Sequence, residues 1–158
     1  MYVTDTRVSA EPRDFLEITD ALHRFALGQD LKDRELFASA FAEDAVLDFG
    51  PASAAWGGSA PEMSGREAIV ATILESFTGR VETTHQVTNP RVRVDGDRAR
   101  LTALVEAQHL LSADRGVHAL LKNLYDVELV REPGGRWLMS RVVIANLWFT
   151  GDPVAVFG

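Results

Sequence analysis

The chain has 158 residues, a net charge of −7 at pH 7 and no cysteine. An acidic chain with scattered arginines lacks the clustered positive charge that nucleic acids require, and without cysteine it forms neither disulfides nor thiolate metal sites. No apolar run approaches the ~18–20 residues of a membrane span, and the N-terminus lacks the basic and apolar segments of a signal peptide. We therefore expect one cytoplasmic domain that binds neither nucleic acid nor membrane.

The first half of the chain shows helical periodicity after a polar N-terminus over residues 1–10, which we expect to be flexible. Apolar residues then recur three or four positions apart and predict an amphipathic helix that ends just before Asp30. The stretch 50–64, rich in Gly, Ala, Ser and Pro, predicts a loop, and Ser64 with Glu67 forms a capping-box pattern that begins another helix. The predicted elements are the helices Glu11–Gln29, Asp33–Ala42 and Ser64–Phe77 and the strand Ala45–Gly50.

The second half alternates apolar and polar residues with a period of two, which is typical of strands. Asp95-Gly96 is a strong hairpin signal, and Asn89-Pro90 interrupts the first strand because proline cannot donate to a ladder. The predicted strands are Val81–Val94, Arg98–Ser112, Val117–Arg131 and Arg136–Thr150. Three helices followed by a meander of long strands predict an α+β fold, in which a curved, mostly antiparallel sheet wraps over the helices and encloses a pocket.

Two polar side chains fall on the apolar face of their predicted strands. His109 shares its parity with Leu101, and Asn123 shares its parity with Leu121. A lone inward histidine or asparagine is most often a structural residue bonded to the backbone. Two such groups on neighbouring strands, with His85 on the strand before them, favour a shared polar pocket. The segment around His85 does not by itself decide which face this histidine occupies.

The last predicted strand is apolar on both faces. A sheet of this kind usually buries its second face against another subunit, so we expect a homo-oligomer. Arg141 lies within this strand. Its charge fits either an ion pair at the surface or in an interface, or an anchor for an anionic group of the substrate.

Four segments resemble, in order and spacing, the SnoaL-like group of the nuclear transport factor 2-like superfamily: ALGQDLKDRELFASAFAEDAVLDFG (26–50), ETTHQVTN (82–89), DGDRARLTALVEAQH (95–109) and RWLMSRVVIANLW (136–148). The resemblance implies a cone-shaped α+β barrel over residues 11–150, with 151–158 as a C-terminal tail. Its closest members also imply a trimer in preference to a dimer.

Within this group the residue pattern is most similar to scytalone dehydratase and hexachlorocyclohexane dehydrochlorinase, and bile acid 7α-dehydratase has a similar Asp/His pair. The resemblance implies that Asp30 and His85 form a catalytic pair. It matches His109 to the second histidine of the dehydratase and Asn123 to its substrate-binding asparagine.

The chain departs from these enzymes at three positions. The two tyrosines of the dehydratase correspond to Gln29 and Phe49, and the lysine of the dehydrochlorinase corresponds to Phe25. Neither of the two activities is therefore expected unchanged.

These residues together suggest a lyase or isomerase that needs no cofactor and no metal. His85 would remove a proton from a carbon acid, with its ring held by Asp30. His109 would then donate a proton to a leaving hydroxyl or an enolate oxygen, and Asn123 would polarise a carbonyl. A cyclic hydrophobic substrate, polyketide- or steroid-like, is expected from the predicted apolar lining of Phe25, Phe41, Phe49, Trp56, Leu101 and Trp148.

Two other classes of function fit the same sequence. One is a ligand-binding domain that keeps the pocket without turnover. The other is an oligomerisation domain in which the apolar last strand is the functional surface.

Overall fold

The structure, a computed structural model, describes residues 2–158 and has five α-helices and six strands. The helices are α1 (Pro12–Leu31), α2 (Arg34–Ala38), α3 (Gly50–Ser53), α4 (Arg66–Phe77) and α5 (Pro153–Phe157). The strands are β1 (Phe41–Asp48), β2 (Met63–Ser64), β3 (Val81–Asp95), β4 (Arg98–Leu111), β5 (His118–Arg131) and β6 (Trp137–Gly151).

The strands form one sheet in the order β2-β1-β6-β5-β4-β3. Only the β1–β6 pair is parallel, and every other pair is antiparallel. The prediction of an α+β fold with helices on a mostly antiparallel sheet is confirmed. The sheet is open rather than closed, because β2 and β3 lie at opposite edges.

Helix α1 continues two residues beyond its predicted end and includes Asp30 in its last turn. Lys32 then ends the helix in the left-handed conformation with φ 56°, and the N–H of Asp33 donates to the carbonyl of Gly28 at 2.9 Å. Gly28 also lets α2 approach, because a Cβ at this position would lie 2.5 Å from the backbone of Phe37. Glycine here therefore fixes how α2 packs on the end of α1.

Helix α4 begins two residues after its predicted start, at Arg66, and the predicted capping box does not form. Gly65 is the N-cap residue, with φ 92°, and no side chain caps the helix. The N–H of Gly65 instead donates to the carbonyl of Ala45 at 2.7 Å, which ties the helix start to β1. The preceding segment, predicted as a loop, contains α3, a 3-10 helix at Ala54–Trp56 and the short strand β2.

Register shifts interrupt two of the long strands. In β3 the shift falls at Asn89-Pro90, where Asn89 has φ 54°, so the proline is accommodated in a bulge as its missing N–H requires. In β6 there are two shifts, one of which leaves Leu147 as an extra residue between the pairs Asn123–Asn146 and Lys122–Trp148. Each of the two shifts adds one residue to β6 and so reverses which of its side chains face inward.

The two ends of the chain are packed against the domain. Met1 lies outside the described residues, but Val3 is buried and the carboxylate of Asp5 bonds to Arg93 Nε at 2.7 Å, within the segment 1–10 that was predicted to be flexible. The predicted tail 151–158 is also corrected, because it folds as α5 and buries Val156 against the sheet. None of the helices among residues 2–158 is long and apolar enough to cross a membrane.

Candidate functional site

A cavity of about 230 Å³ lies between the sheet and helices α1, α4 and α5. Its wall is almost entirely apolar, and the polar side chains in it belong to a few residues on α1, α4, β3, β4 and β5. Its main lining residues are Phe25, Gln29, Phe49, Ile73, Phe77, His85, His109, Leu121, Asn123, Tyr125, Ile144 and Phe157. An apolar cavity with a few converging polar groups is the usual form of a small-molecule site.

Asp30 and His85 are in direct contact at the edge of this cavity. Asp30 Oδ1 lies 2.6 Å from His85 Nδ1, and Asp30 Oδ2 accepts the backbone N–H of His85 at 2.7 Å. The hydroxyl of Thr83 donates to Asp30 Oδ1 at 2.9 Å. Three donors converge on this carboxylate, and Oδ1 accepts a hydrogen bond from the His85 ring only when Nδ1 carries a proton, so in the neutral ring Nε2 is the unprotonated nitrogen.

The position of Asp30 is unusual for a carboxylate. It lies in the last turn of a 20-residue helix, where the macrodipole favours cations, and that turn contains no basic residue. Burial by itself would raise the pKa of Asp30, but the hydrogen bonds from His85 and Thr83 and the charge of His85 outweigh it and lower that pKa. The carboxylate is therefore kept ionised by β3, against the preference of its own helix.

His109 faces the same cavity from β4. Its ring centroid is 5.5 Å from that of His85 and 4.8 Å from that of Phe157, and its Nδ1 has no hydrogen-bond partner within residues 2–158. Burial lowers the pKa of His109 to about 3, a positive charge on the His85 ring acts in the same direction, and the nearby backbone of Ala107 and Ala119 acts in the opposite one. The ring is therefore neutral near pH 7, and a neutral imidazole can donate one hydrogen bond.

Asn123 is held by a residue that the sequence reasoning missed. Asn146 Nδ2 donates to Asn123 Oδ1 at 2.9 Å and also lies 3.0 Å from the carbonyl of Trp148. Because both contacts need a donor, they fix the amide orientation of Asn146. The side chain of Asn123 then presents its NH₂ group to the cavity. The sequence does contain a signal for Asn146, because it is the one amide side chain in a largely apolar strand.

Two further polar side chains line the cavity. Gln29, which stands where the dehydratase has a tyrosine, is buried in α1 and makes no side-chain hydrogen bond within residues 2–158. Tyr125 lies on β5 two residues after Asn123, on the same face. Strand parity already turned Tyr125 inward, but no role was assigned to it.

Only some of the aromatic residues that were predicted to line the cavity do so. Phe25 and Phe49 line the cavity as expected. Trp56 does not line it, but packs behind Phe49 with a ring-centroid distance of 5.8 Å and stacks on Phe157 at 5.7 Å. Phe157 itself was missed because the sequence analysis treated its segment as a tail.

Arg141 and Trp148 are on the outer face of the sheet, so their predicted contact with substrate is wrong for this cavity. Arg141 bonds to Glu62 at 2.9 Å, consistent with the ion-pair alternative. Trp148 is 53% exposed, with the ammonium of Lys122 over its ring at 5.4 Å. Leu147, the extra residue at the register shift, turns Trp148 to the face opposite Ile144.

No cluster of three or more histidine, aspartate and glutamate side chains able to hold a metal ion occurs in the part of the chain that the structure describes.

The fold and the cavity define a small α+β domain with an apolar, partly polar-lined pocket, and the family follows from the sequence. Residues 10–143 match the SnoaL-like domain, so the chain belongs to this family. The resemblance seen in its motifs is confirmed.

One relative is a protein of Penicillium crustosum, the terrestric acid biosynthesis cluster protein E. It is 33% identical over 147 residues, which cover 89% of this chain and 87% of that protein. The alignment therefore relates the two domains over nearly their full length.

Three solved structures share the fold. A candidate aromatic ring hydroxylase from Novosphingobium aromaticivorans is 22% identical with a TM-score of 0.79, covering 94% of this chain and 99% of that one. A candidate scytalone dehydratase from the same organism is 22% identical with a TM-score of 0.74 and coverages of 90% and 89%. The hexachlorocyclohexane dehydrochlorinase LinA-type3 of Novosphingobium barchaimii is 20% identical with a TM-score of 0.72 and coverages of 90% and 92%. At these identities the similarity establishes the fold.

Proposed function

We propose that this protein is a cofactor-independent lyase or isomerase in which His85 removes a proton from a carbon atom of a small cyclic substrate. The observation that carries the proposal is the 2.6 Å contact between Asp30 and His85 beside an apolar cavity. Such a contact holds the imidazole in the tautomer whose free nitrogen faces the substrate, and it stabilises the imidazolium formed after proton transfer. General-base assistance of this kind is typically worth ~10²–10⁴ in rate.

A dehydratase-like elimination fits the groups in the cavity. His85 takes the proton as the C–H bond breaks, the electron pair forms the new double bond, and the C–O bond to the leaving hydroxyl breaks. The imidazolium of His85 then returns its proton to the leaving group as water. Neutral His109 would assist by donating a hydrogen bond to the leaving hydroxyl.

The size and lining of the cavity narrow the expected substrate. A volume of about 230 Å³ is below the ~300–1,000 Å³ usual for drug-sized ligands, so a molecule of one or two rings fits better than a four-ring steroid. The relative from a biosynthesis cluster favours a natural product as the substrate.

Homo-oligomerisation remains a proposal on separate grounds. Leu147 and Trp148, neighbours on the outer face of the sheet, are 56% and 53% exposed. Adjacent large apolar side chains at this exposure favour an interface with further copies of the chain, and we propose a trimer.

The test is hydrogen exchange at carbon. A panel of one- and two-ring ketones is incubated with the protein in D₂O, and deuterium incorporation next to the carbonyl is followed by mass spectrometry. We expect exchange with the wild type and a loss of at least ~100-fold in His85→Gln. The exposed His23 on α1 supplies the matched control, His23→Gln, which should exchange like the wild type. If no ketone exchanges faster with the wild type than with His85→Gln, the ligand-binding alternative is favoured instead.

A further inference from the structure

Tyr125 supplies a polar group of the cavity wall that the proposed proton transfer does not use. The residue as a whole is 2% exposed and lines the cavity, and its hydroxyl makes no hydrogen bond within residues 2–158. This hydroxyl is not among the fully buried atoms that lack a partner, so it opens into the cavity, where a bound ligand can supply the partner. A phenylalanine would fill the same space without offering this donor.

Tyr125 and Asn123 form a pair of donors on one wall. They are two residues apart on β5 and share a face, so their side chains lie about 7 Å apart at their bases. Asn146 occupies the oxygen of Asn123, which leaves the NH₂ group as the group offered to the cavity. Burial, together with the charge of Asp30, raises the pKa of Tyr125, so the phenol remains protonated and can donate a hydrogen bond.

This pair lies within one small molecule's length of His85. The ring of Phe25 packs near both residues, with centroid distances of 6.5 Å to the ring of His85 and 5.8 Å to the ring of Tyr125. The rings of His85 and Tyr125 are therefore at most about 12 Å apart, which is the sum of those two distances. A two-ring compound placed across the cavity could meet His85 at one end and the donor pair on β5 at the other.

We propose that Tyr125 and Asn123 bind a carbonyl oxygen of the substrate, so that the substrate class is a cyclic ketone or enone conjugated to the carbon that loses its proton. This inference rests on the proposed function. As His85 takes the proton, the C–H electron pair moves through the conjugated system onto the carbonyl oxygen, and no other reactant is consumed. The resulting enolate oxygen accepts hydrogen bonds from the phenol and the amide, which are strongest when that charge develops. Tyr125 would thus supply a phenol in a chain that has Gln29 and Phe49 where the dehydratase has its two tyrosines.

The test compares two probes of the same shape, 2-naphthol and 2-methylnaphthalene, in binding titrations with the intact chain. The naphthol oxygen stands in for the enolate oxygen, and the methyl group is its apolar counterpart. We expect the wild type to prefer 2-naphthol, and Tyr125→Phe to lose about tenfold in affinity for it, the value of about one hydrogen bond. Affinity for 2-methylnaphthalene should change by less than about twofold.

His85→Gln separates this inference from the proposed function, because the naphthol preference should persist in that variant. If the wild type shows no preference, or if Tyr125→Phe keeps it, the donor pair is refuted whatever the exchange assay shows. If the preference is lost only in His85→Gln, the oxygen binds to His85 and the inference is wrong while the general base stands.

Stability provides a second readout that does not depend on the probe. Since the Tyr125 hydroxyl has no partner within residues 2–158, Tyr125→Phe should unfold at the same temperature as the wild type or at a higher one. A fall of several degrees would show that the hydroxyl has a structural partner, and this too would overturn the inference.

Discussion

Asp30→Asn is the substitution that tests the role of the carboxylate with the least change in shape. The backbone N–H of His85 points at Asp30 Oδ2 and cannot turn away, so the new amide must place its oxygen there. Its NH₂ group then occupies the Oδ1 position, 2.6 Å from His85 Nδ1. A donor in that place requires Nδ1 to accept, which moves the ring proton to Nε2 and removes the base.

The expected result is a large loss of rate with little loss of stability. Exchange at carbon should fall by up to about 10⁴-fold, the loss that a wrong histidine tautomer causes in a serine-protease triad. The hydrogen bonds of the site survive in neutral form, and the helix end loses an unfavourable negative charge worth about 0.3–1 kcal/mol. The free energy of unfolding should therefore change by less than about 2 kcal/mol.

The assay is deuterium exchange into the best ketone of the panel, paired with urea unfolding of the same preparations. Thr83→Val is the matched control, because it removes one hydrogen bond to Asp30 but leaves the tautomer of His85 unchanged. We expect this control to lose less than about tenfold in rate. A loss below tenfold in Asp30→Asn itself, in a folded protein, would refute the tautomer argument.

Three other predictions concern different parts of the molecule. The pKa of His109 is about 3 in the fold and about 6.5 in the unfolded chain, so its contribution to stability is complete above pH 6.5 and is lost as the pH falls toward 3. The free energy of unfolding of the wild type should therefore be about 2–3 kcal/mol lower at pH 4.5 than at pH 6.5. The same difference should be clearly smaller in His109→Leu. Gly28→Ala should lower the free energy of unfolding in denaturant by about 1–3 kcal/mol despite its helical position, because its methyl group meets the backbone of Phe37. Gly134→Ala is the control, because Gly134 has open space around it and the change should be near neutral. Trp148→Glu should reduce the expected trimer to smaller species in sedimentation; an unchanged mass would exclude this surface as the interface.

Much of the fold follows from local patterns in the sequence. The periodicities locate α1, α4 and the four long strands, because these elements bury one face along their whole length. Helix α5 was missed for the opposite reason. It has five residues, and it is stabilised by packing against the sheet rather than by a periodic pattern of its own.

The candidate site was predictable in part. Parity alone turned His109 and Asn123 inward, and the resemblance paired Asp30 with His85, which the structure brings to 2.6 Å. The failure at Trp148 has a single cause: one extra residue in β6 reverses the alternation, and a register shift is set by the neighbouring strand rather than by the strand's own sequence.

The role of His85 as the base can be tested by determining which ring nitrogen carries the proton. Nitrogen-15 NMR of the histidine rings near pH 7, with His85→Gln used to assign the signals, distinguishes protonated from unprotonated ring nitrogens. The account predicts that Nδ1 carries the proton toward Asp30 and that Nε2 is unprotonated. A neutral ring with its proton on Nε2 would contradict the account, because that nitrogen could then not accept a proton from the substrate.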